Sequence, residues 1–155
     1  SIILIKKKKK HMQITLACEY AIRAMLYLAN KESEILVQTK DIATFGEIPK
    51  PFLQKILNKL AKSSLIIAVR GINGGVKLSK PSKDISLLEI IEAIEGRIFF
   101  NQCFFEPDFC HRTNWCSVHA VWSEAQNTVR KILKSKSLEY LVDINNKNSC
   151  KVINF

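Results

Sequence analysis

Residues 48–79 constrain the fold more than any other part of the chain. The short connection Ile48-Pro49-Lys50-Pro51 leads into a helix running to about Lys62, with proline in a first turn whose N–H groups lack intrahelical partners. On that helix Phe52, Leu53, Ile56, Leu57 and Leu60 fall on one side, and Lys55, Asn58, Lys59 and Lys62 on the other. It has an oily back, which needs a core behind it, and a basic front. Next come the apolar run 65–69, Arg70-Gly71-Ile72-Asn73-Gly74-Gly75, and a second short run at 76–79. Two short strands about an Asn-Gly-Gly turn predict a hairpin, because these residues tolerate the positive φ of a tight turn.

Upstream, Ile14, Ala17, Ala21, Ala24, Met25 and Leu28 recur at helical spacing and predict a first helix of roughly four turns. Thr39 is placed to cap a short helix through Phe45, with Asp41 in the first turn favoured by the helix dipole and Gly46 as the break. Helix, short helix, basic helix and hairpin in that order describe a winged helix-turn-helix, expected over residues 12–84. The fold class is therefore mainly α with a small β-hairpin wing. A basic helix face alone is usually just solvated. Combined with an arginine at the hairpin tip and this element order, it points to double-stranded DNA.

Downstream, Ser86 and Glu89 have the spacing of a capping box, Leu87, Ile91 and Ile94 form a buried stripe, and Gly96 ends that helix. Residues 97–114 have no clear period and are rich in phenylalanine. From about Trp115 a long helix carries Val118, Val121, Trp122, Ala125, Val129, Ile132 and Leu133 on one side. Pairing with the same helix of a second chain buries this stripe economically, and a twofold dimer suits a palindromic operator. Packing back onto its own domain is the alternative. Residues 85–142 are thus assigned to a cysteine-bearing loop and dimerisation helices, and residues 143–155 to a polar, frayed tail containing Cys150.

Charge and cysteine usage narrow the class further. The chain of 155 residues carries a formal +10, of which residues 1–11 supply five lysines and no acid, leaving +5 on the rest. Residues 1–11 read as a tag or disordered arm rather than an export signal, since the lysines follow a short apolar stretch instead of preceding a longer one. No apolar run approaches the roughly 20 residues of a membrane span. A cytoplasmic chain without a membrane partner is expected. Five cysteines are present, an odd number ill suited to a secreted disulfide framework.

Three of them lie within fourteen residues, as Cys103-x6-Cys110-x5-Cys116-x2-His119. Thiolates bind soft metals and iron–sulfur clusters, and an irregular loop can wrap a cluster where a regular helix cannot. Cys116 and His119 share a face at the start of the long helix, whose N-terminus favours thiolate. His111 competes as a fourth ligand. Zinc is the chemical rival, although its sites usually come as paired short C-x2–4-C loops, absent here. Unliganded thiols beside aromatics are the plain alternative. No nucleophile–base set, no carboxylate pair in a clear pocket and no nucleotide-binding glycine loop supports an enzyme.

Several segments together resemble the bacterial iron–sulfur regulators of IscR, NsrR and RirA type, with the cysteine-metabolism repressor CymR as a relative. They are Glu19-Tyr-Ala-Ile-Arg-Ala-Met-Leu-Tyr-Leu-Ala29, Ile48-Pro-Lys-Pro-Phe-Leu-Gln-Lys-Ile-Leu57, the wing 70–75, Ile85-Ser-Leu-Leu-Glu-Ile-Ile91 and the three cysteines. The resemblance runs from residue 12 to about 142. It implies a homodimeric, repressor-type transcription factor with the basic helix in the major groove and the wing in or near the minor groove. Gln54 matches the base-reading position and Arg70 the wing arginine; both suit base-edge and narrow-groove contacts. Lys50, Lys55 and Lys59, with Thr39 and Lys40, would hold phosphates. Cys103, Cys110 and Cys116 match the cluster ligands, and His119 the position completing a two-iron, two-sulfur cluster in the IscR branch, four-iron being the other option. Redox state, nitric oxide or iron status would be the signal. The chain departs from the family in a first cysteine gap one residue longer than the commonest, in Ser64 for a frequent glycine, and in Ala68 for a frequent serine. A zinc- or thiol-based regulator keeps the DNA-binding parts, whereas an iron–sulfur electron carrier leaves the Lys55/Lys59 face and Arg70 without a purpose.

Overall fold

The structure is a computed structural model that describes residues 14–32, 34–105 and 110–152. Residues 1–11 and the last three residues of the 143–155 tail lie outside the described residues.

Helix α1 (Leu16–Ala29) begins where the Thr15 hydroxyl accepts from the Cys18 N–H. Its buried face is Cys18, Ala21, Ala24, Met25 and Leu28, small enough for α2, α3 and α4 to approach. Ile14, expected on this stripe, lies ahead of the helix and is exposed. Helix α2 (Thr39–Gly46) is capped at Gln38, not Thr39, which lies inside the first turn. The Gln38 side chain makes no cap bond; its amide instead donates to Gly74 O at 2.7 Å, a distant partner that local spacing cannot reveal. Gly46 is the last helical residue, and the left-handed position is Glu47, at φ 52°. At Gly46 a Cβ would sit 2.7 Å from the end of the Ile48 side chain, so any larger residue there requires Ile48 to shift.

Helix α3 (Lys50–Lys62) buries Leu53, Ile56, Leu57 and Leu60. Phe52, expected with them, is exposed and meets Tyr20 edge-on at 6.5 Å between ring centres. Strands β1 (Ile66–Val69) and β2 (Gly75–Leu78) pair antiparallel with Ile66 opposite Leu78 and Val69 opposite Gly75. That register leaves residues 70–74 as the turn. Its positive φ falls on Gly71, at 111°, rather than within Asn-Gly-Gly. Gly74 serves close approach, because a Cβ there would lie 2.2 Å from Val69 O. Val37 and Val76 exchange two backbone hydrogen bonds of 2.9 Å, sewing the hairpin to the segment before α2.

Helix α4 (Leu87–Glu95) has the expected capping box of Ser86 and Glu89, and Gly96 ends it at φ 79°. Its buried face is Leu88, Ile90, Ile91 and Ile94, with Leu87 only half-buried. Residues 97–114, expected to be irregular, contain a short helix α5 (Gln102–Phe105) and lead into a 3-10 turn at Thr113–Trp115. Helix α6 (Ser117–Ser135) follows. The chain then pairs with residues 85–87, Leu138 N–H donating to Ile85 O at 2.7 Å and Leu87 N–H to Lys136 O at 2.9 Å. Helix α7 (Leu138–Val152) starts there and packs on α1. The expected frayed tail is thus helical through Val152. Asparagines at 145, 146 and 148 weaken the local helix signal, but fully buried Leu138 and the Ser137 hydroxyl, accepting from Tyr140 N–H, anchor its first turn.

Apart from Leu138, every buried hydrophobic side chain among the described residues belongs to residues 18–98. Among the described residues, no helix is long and apolar enough to cross a membrane.

Candidate functional site

Two surfaces carry the residues singled out by sequence. The first is the outward face of α3 with the wing beside it. Lys50 opens α3, and Gln54, Lys55 and Asn58 stand exposed along it. Gln54 donates to the Asn58 carbonyl oxygen at 3.3 Å, one helical turn apart, so the two amides form one polar patch. Lys59 differs from its neighbours, because its ammonium donates to Ile94 O at 2.8 Å and ties α3 to the end of α4. Half-exposed Thr39 and exposed Lys40 occupy the first turn of α2, while exposed Arg70 begins the wing turn.

A charge signal that the helix pattern alone does not reveal frames this surface. From residue 48 to 83 the chain carries eight basic residues and no acid. Lys77 pairs with Glu34 and Lys80 with Glu89, each at 2.7 Å. Lys50, Lys55, Lys62 and Arg70 have no ion pair among the described residues. Exposed cations without ion pairs suit a polyanion.

The second surface is the cysteine loop. Cys103 lies on α5, Cys110 accepts at its carbonyl from the Thr113 hydroxyl at 2.8 Å, and Cys116 is the N-cap residue of α6. Cys103 Sγ stands 3.4 Å from His119 Nδ1, and the Phe104 ring stacks on the imidazole at 4.4 Å. Cys103, Cys110, His119 and the competing His111 line one open cavity of about 550 Å³. Half-buried Cys116 is not part of its wall. Among the described residues no group of three or more His, Cys, Asp or Glu is gathered closely enough to hold a metal ion. The donors are thus right in kind and partly convergent, with Cys116 outside the shared cavity. Cys18 is a different case: it is wholly buried in the core, and burial, reinforced by Glu95 and Glu19, pushes its thiol up to about 11. It stays protonated and inert.

The loop is wired to α6 on one side only. Buried Gln126 accepts from the Phe100 N–H at 3.1 Å, and Arg130 pairs with Glu92 of α4. On the adjoining side Val118, Val121, Trp122 and Ile132 are all 40% exposed or more, with Trp115 at 70% just ahead of the helix. The stripe expected on this helix therefore exists, and most of it is uncovered in the single chain.

Residues 14–144 match the model of the Rrf2 family, described as an iron-dependent transcriptional regulator. Over 125 residues the chain is 30% identical to the HTH-type transcriptional regulator NsrR of Oceanobacillus iheyensis, covering 80% of this chain and 85% of that one. Among solved structures, IscR of T. potens is similar with a TM-score of 0.67 at 25% identity, covering 86% of this chain and 88% of that one. CymR, the global cysteine regulator of B. subtilis, shares the fold with a TM-score of 0.70 at 23% identity, covering 86% and 98%. Helix order, wing and sequence agree across these comparisons, and the chain belongs to the Rrf2 family of transcriptional regulators, which are not enzymes.

Proposed function

We propose that the chain is a cytoplasmic, homodimeric DNA-binding regulator whose hold on a palindromic operator is set by an iron–sulfur cluster on Cys103, Cys110 and Cys116, with His119 as fourth ligand. The observation that carries this reading is the shared cavity of Cys103, Cys110 and His119 at the first turns of α6, whose apolar face is uncovered. A cluster spreads its ligands over more than one iron, so its donors stand farther apart than four donors round a single zinc. When bound, such a cluster supplies a centre sensitive to oxidants, nitric oxide and iron supply. Two-iron is favoured by the nearby imidazole, with four-iron the alternative.

The chain's own residues account for the rest. Cys116 begins α6, so drawing its thiolate towards Cys103 and Cys110 re-aims the first turn of that helix. Gln126 and Arg130 carry the change to Phe100 and Glu92, hence to the end of α4. Lys59 links that end to α3. Pairing of two α6 helices through Val118, Val121 and Trp122 fixes the spacing of two heads on DNA. On each head Gln54 reads base edges, Arg70 meets the minor groove, and Lys50 and Lys55 hold phosphates, with Thr39 and Lys40 beside them. Lys59 reaches phosphate only by leaving Ile94. A ligand shifts such an equilibrium solely through its different affinity for the two states.

Anaerobic purification, with visible absorption, iron and sulfide assays, tests the cofactor. Brown protein with stoichiometric iron and sulfide, colourless as Cys110→Ala, is expected. Zinc-bearing or metal-free protein after reconstitution would leave a regulator that senses through zinc or thiols.

A further inference from the structure

We propose that Ile72, at the tip of the wing, is a specificity-determining apolar probe that enters the DNA minor groove beside Arg70. The proposal rests on the DNA-binding reading above and adds to it a contact of different chemistry. Ile72 is 98% exposed, the most exposed of the large hydrophobic side chains among the described residues, with Trp115 next at 70%. Isolated surface hydrophobics are ordinary. What sets this one apart is the platform that presents it.

The tip is rigid. Gly74 N–H donates to Gly71 O at 3.0 Å, closing the turn, and the Gln38 amide holds Gly74 O at 2.7 Å. The paired Val37 and Val76 fix the base of the hairpin against the segment that enters α2. Nothing lies within 4 Å of the position a Gly71 Cβ would take, so the tip stands clear of the body. The β-branched Ile72 side chain has little rotamer freedom of its own to lose. Insertion therefore costs little ordering entropy, and the water-exposed methyls gain by burial.

The surroundings say what buries them. Arg70 lies two residues away, and residues 48–83 contain no acid to repel phosphate. A narrow minor groove attracts arginine, its walls offer deoxyribose C–H surface, and apolar wedges enter most easily at flexible pyrimidine–purine steps. Arg70 then supplies attraction to the groove, while Ile72 reports how readily the step beneath the wing opens.

The test separates these two roles. Duplexes of about three helical turns, long enough for two half-sites, are selected from a randomised library with the wild-type chain, with and without anaerobic reconstitution. Affinity for the selected duplex is then measured across a potassium chloride series. Ile72→Ala and Ile72→Asn should weaken binding about five- to tenfold, as expected for losing part of one buried aliphatic side chain. The slope of log affinity against log salt should stay the same, since no counterion is involved. Ile72→Leu should restore affinity, and reselection with Ile72→Asn should lose the preference at the wing-facing step. Arg70→Ala should instead flatten the salt slope by about one charge. Wild-type affinity and step preference in Ile72→Ala would overturn the proposal while leaving DNA binding intact. A weakened Ile72→Ala with a flattened slope would also overturn it, because the loss would then belong to Arg70. A wild-type chain that enriches no duplex would remove the DNA-binding reading itself.

Discussion

Residues 18–98 and residues 99–137 are built on opposite plans. In the first, α1, α3 and α4 close on one another with Met25, Leu53, Leu60 and Ile90 fully buried, and the wing is stitched on through Val37 and Gln38. In the second, the buried side chain among the described residues is polar Gln126, and the large apolar groups of α6 face outward. A head that completes its core within one chain can stay the same shape while an arm that lacks one changes partners or ligands. The difference is what the proposed regulation uses: the cysteines and the uncovered apolar surface lie in the region that builds no core of its own.

The contrast is broken most strongly by truncating one large aliphatic side chain in each region. Leu60→Ala should cost the head about 3 kcal/mol through lost burial and a residual cavity, read as a lower urea midpoint. Ile132→Ala on the exposed face of α6 should change the stability of the monomer by less than about 0.5 kcal/mol. Equal losses would mean that α6 is part of the same core.

Trp122→Glu sharpens the same contrast from the other side. It puts a charge on the face proposed to pair, and should give a monomer in sedimentation, where the wild type is proposed to sediment as a dimer, while the head keeps its circular dichroism. An unchanged dimer would place the interface elsewhere.

Smaller effects test the joints of the head. Ser86→Ala removes the cap on α4 and should cost about 1 kcal/mol. Glu89 of the same box adds a pH signature. Burial raises its pKa, but hydrogen bonds from Lys80 and Ser86 outweigh burial and hold the carboxyl below its usual 4.5. A depressed carboxylate stabilises above the unfolded pKa and ceases to as pH falls through the folded one. Acid titration below about 4.5 should therefore erode stability less in Glu89→Gln than in the wild type. Ser64→Gly should stabilise by about 0.5–1 kcal/mol, because Ser64 stands in the left-handed region at φ 56°.

Much of the head was legible because its signals are local. The 3.6-residue period of α1 and α3 and the Ser86–Glu89 spacing each declare an element within a few residues. The errors came where a distant partner decides. Gln38 stands at the N-cap of α2 with its amide engaged by Gly74 O, the positive φ of the wing turn falls on Gly71, and α7 follows the pairing of residues 136–138 with 85–87. In the candidate site, spacing picked out the cysteines and the basic face. It could not show that Lys59 is bound to Ile94, thirty-five residues away, or that Cys116 lies outside the cavity shared by Cys103, Cys110 and His119. Those facts depend on how α4, α5 and α6 pack.

The most direct test is the affinity of the dimer for a selected duplex, measured at fixed salt on one anaerobic preparation before and after the cluster is removed. The account predicts a change of about tenfold or more, within the usual range of coupling between two sites, with Cys110→Ala fixed at the cluster-free value throughout. Identical affinities for loaded, stripped and Cys110→Ala protein would contradict it, and would leave the cysteine loop without a hold on the DNA-reading head.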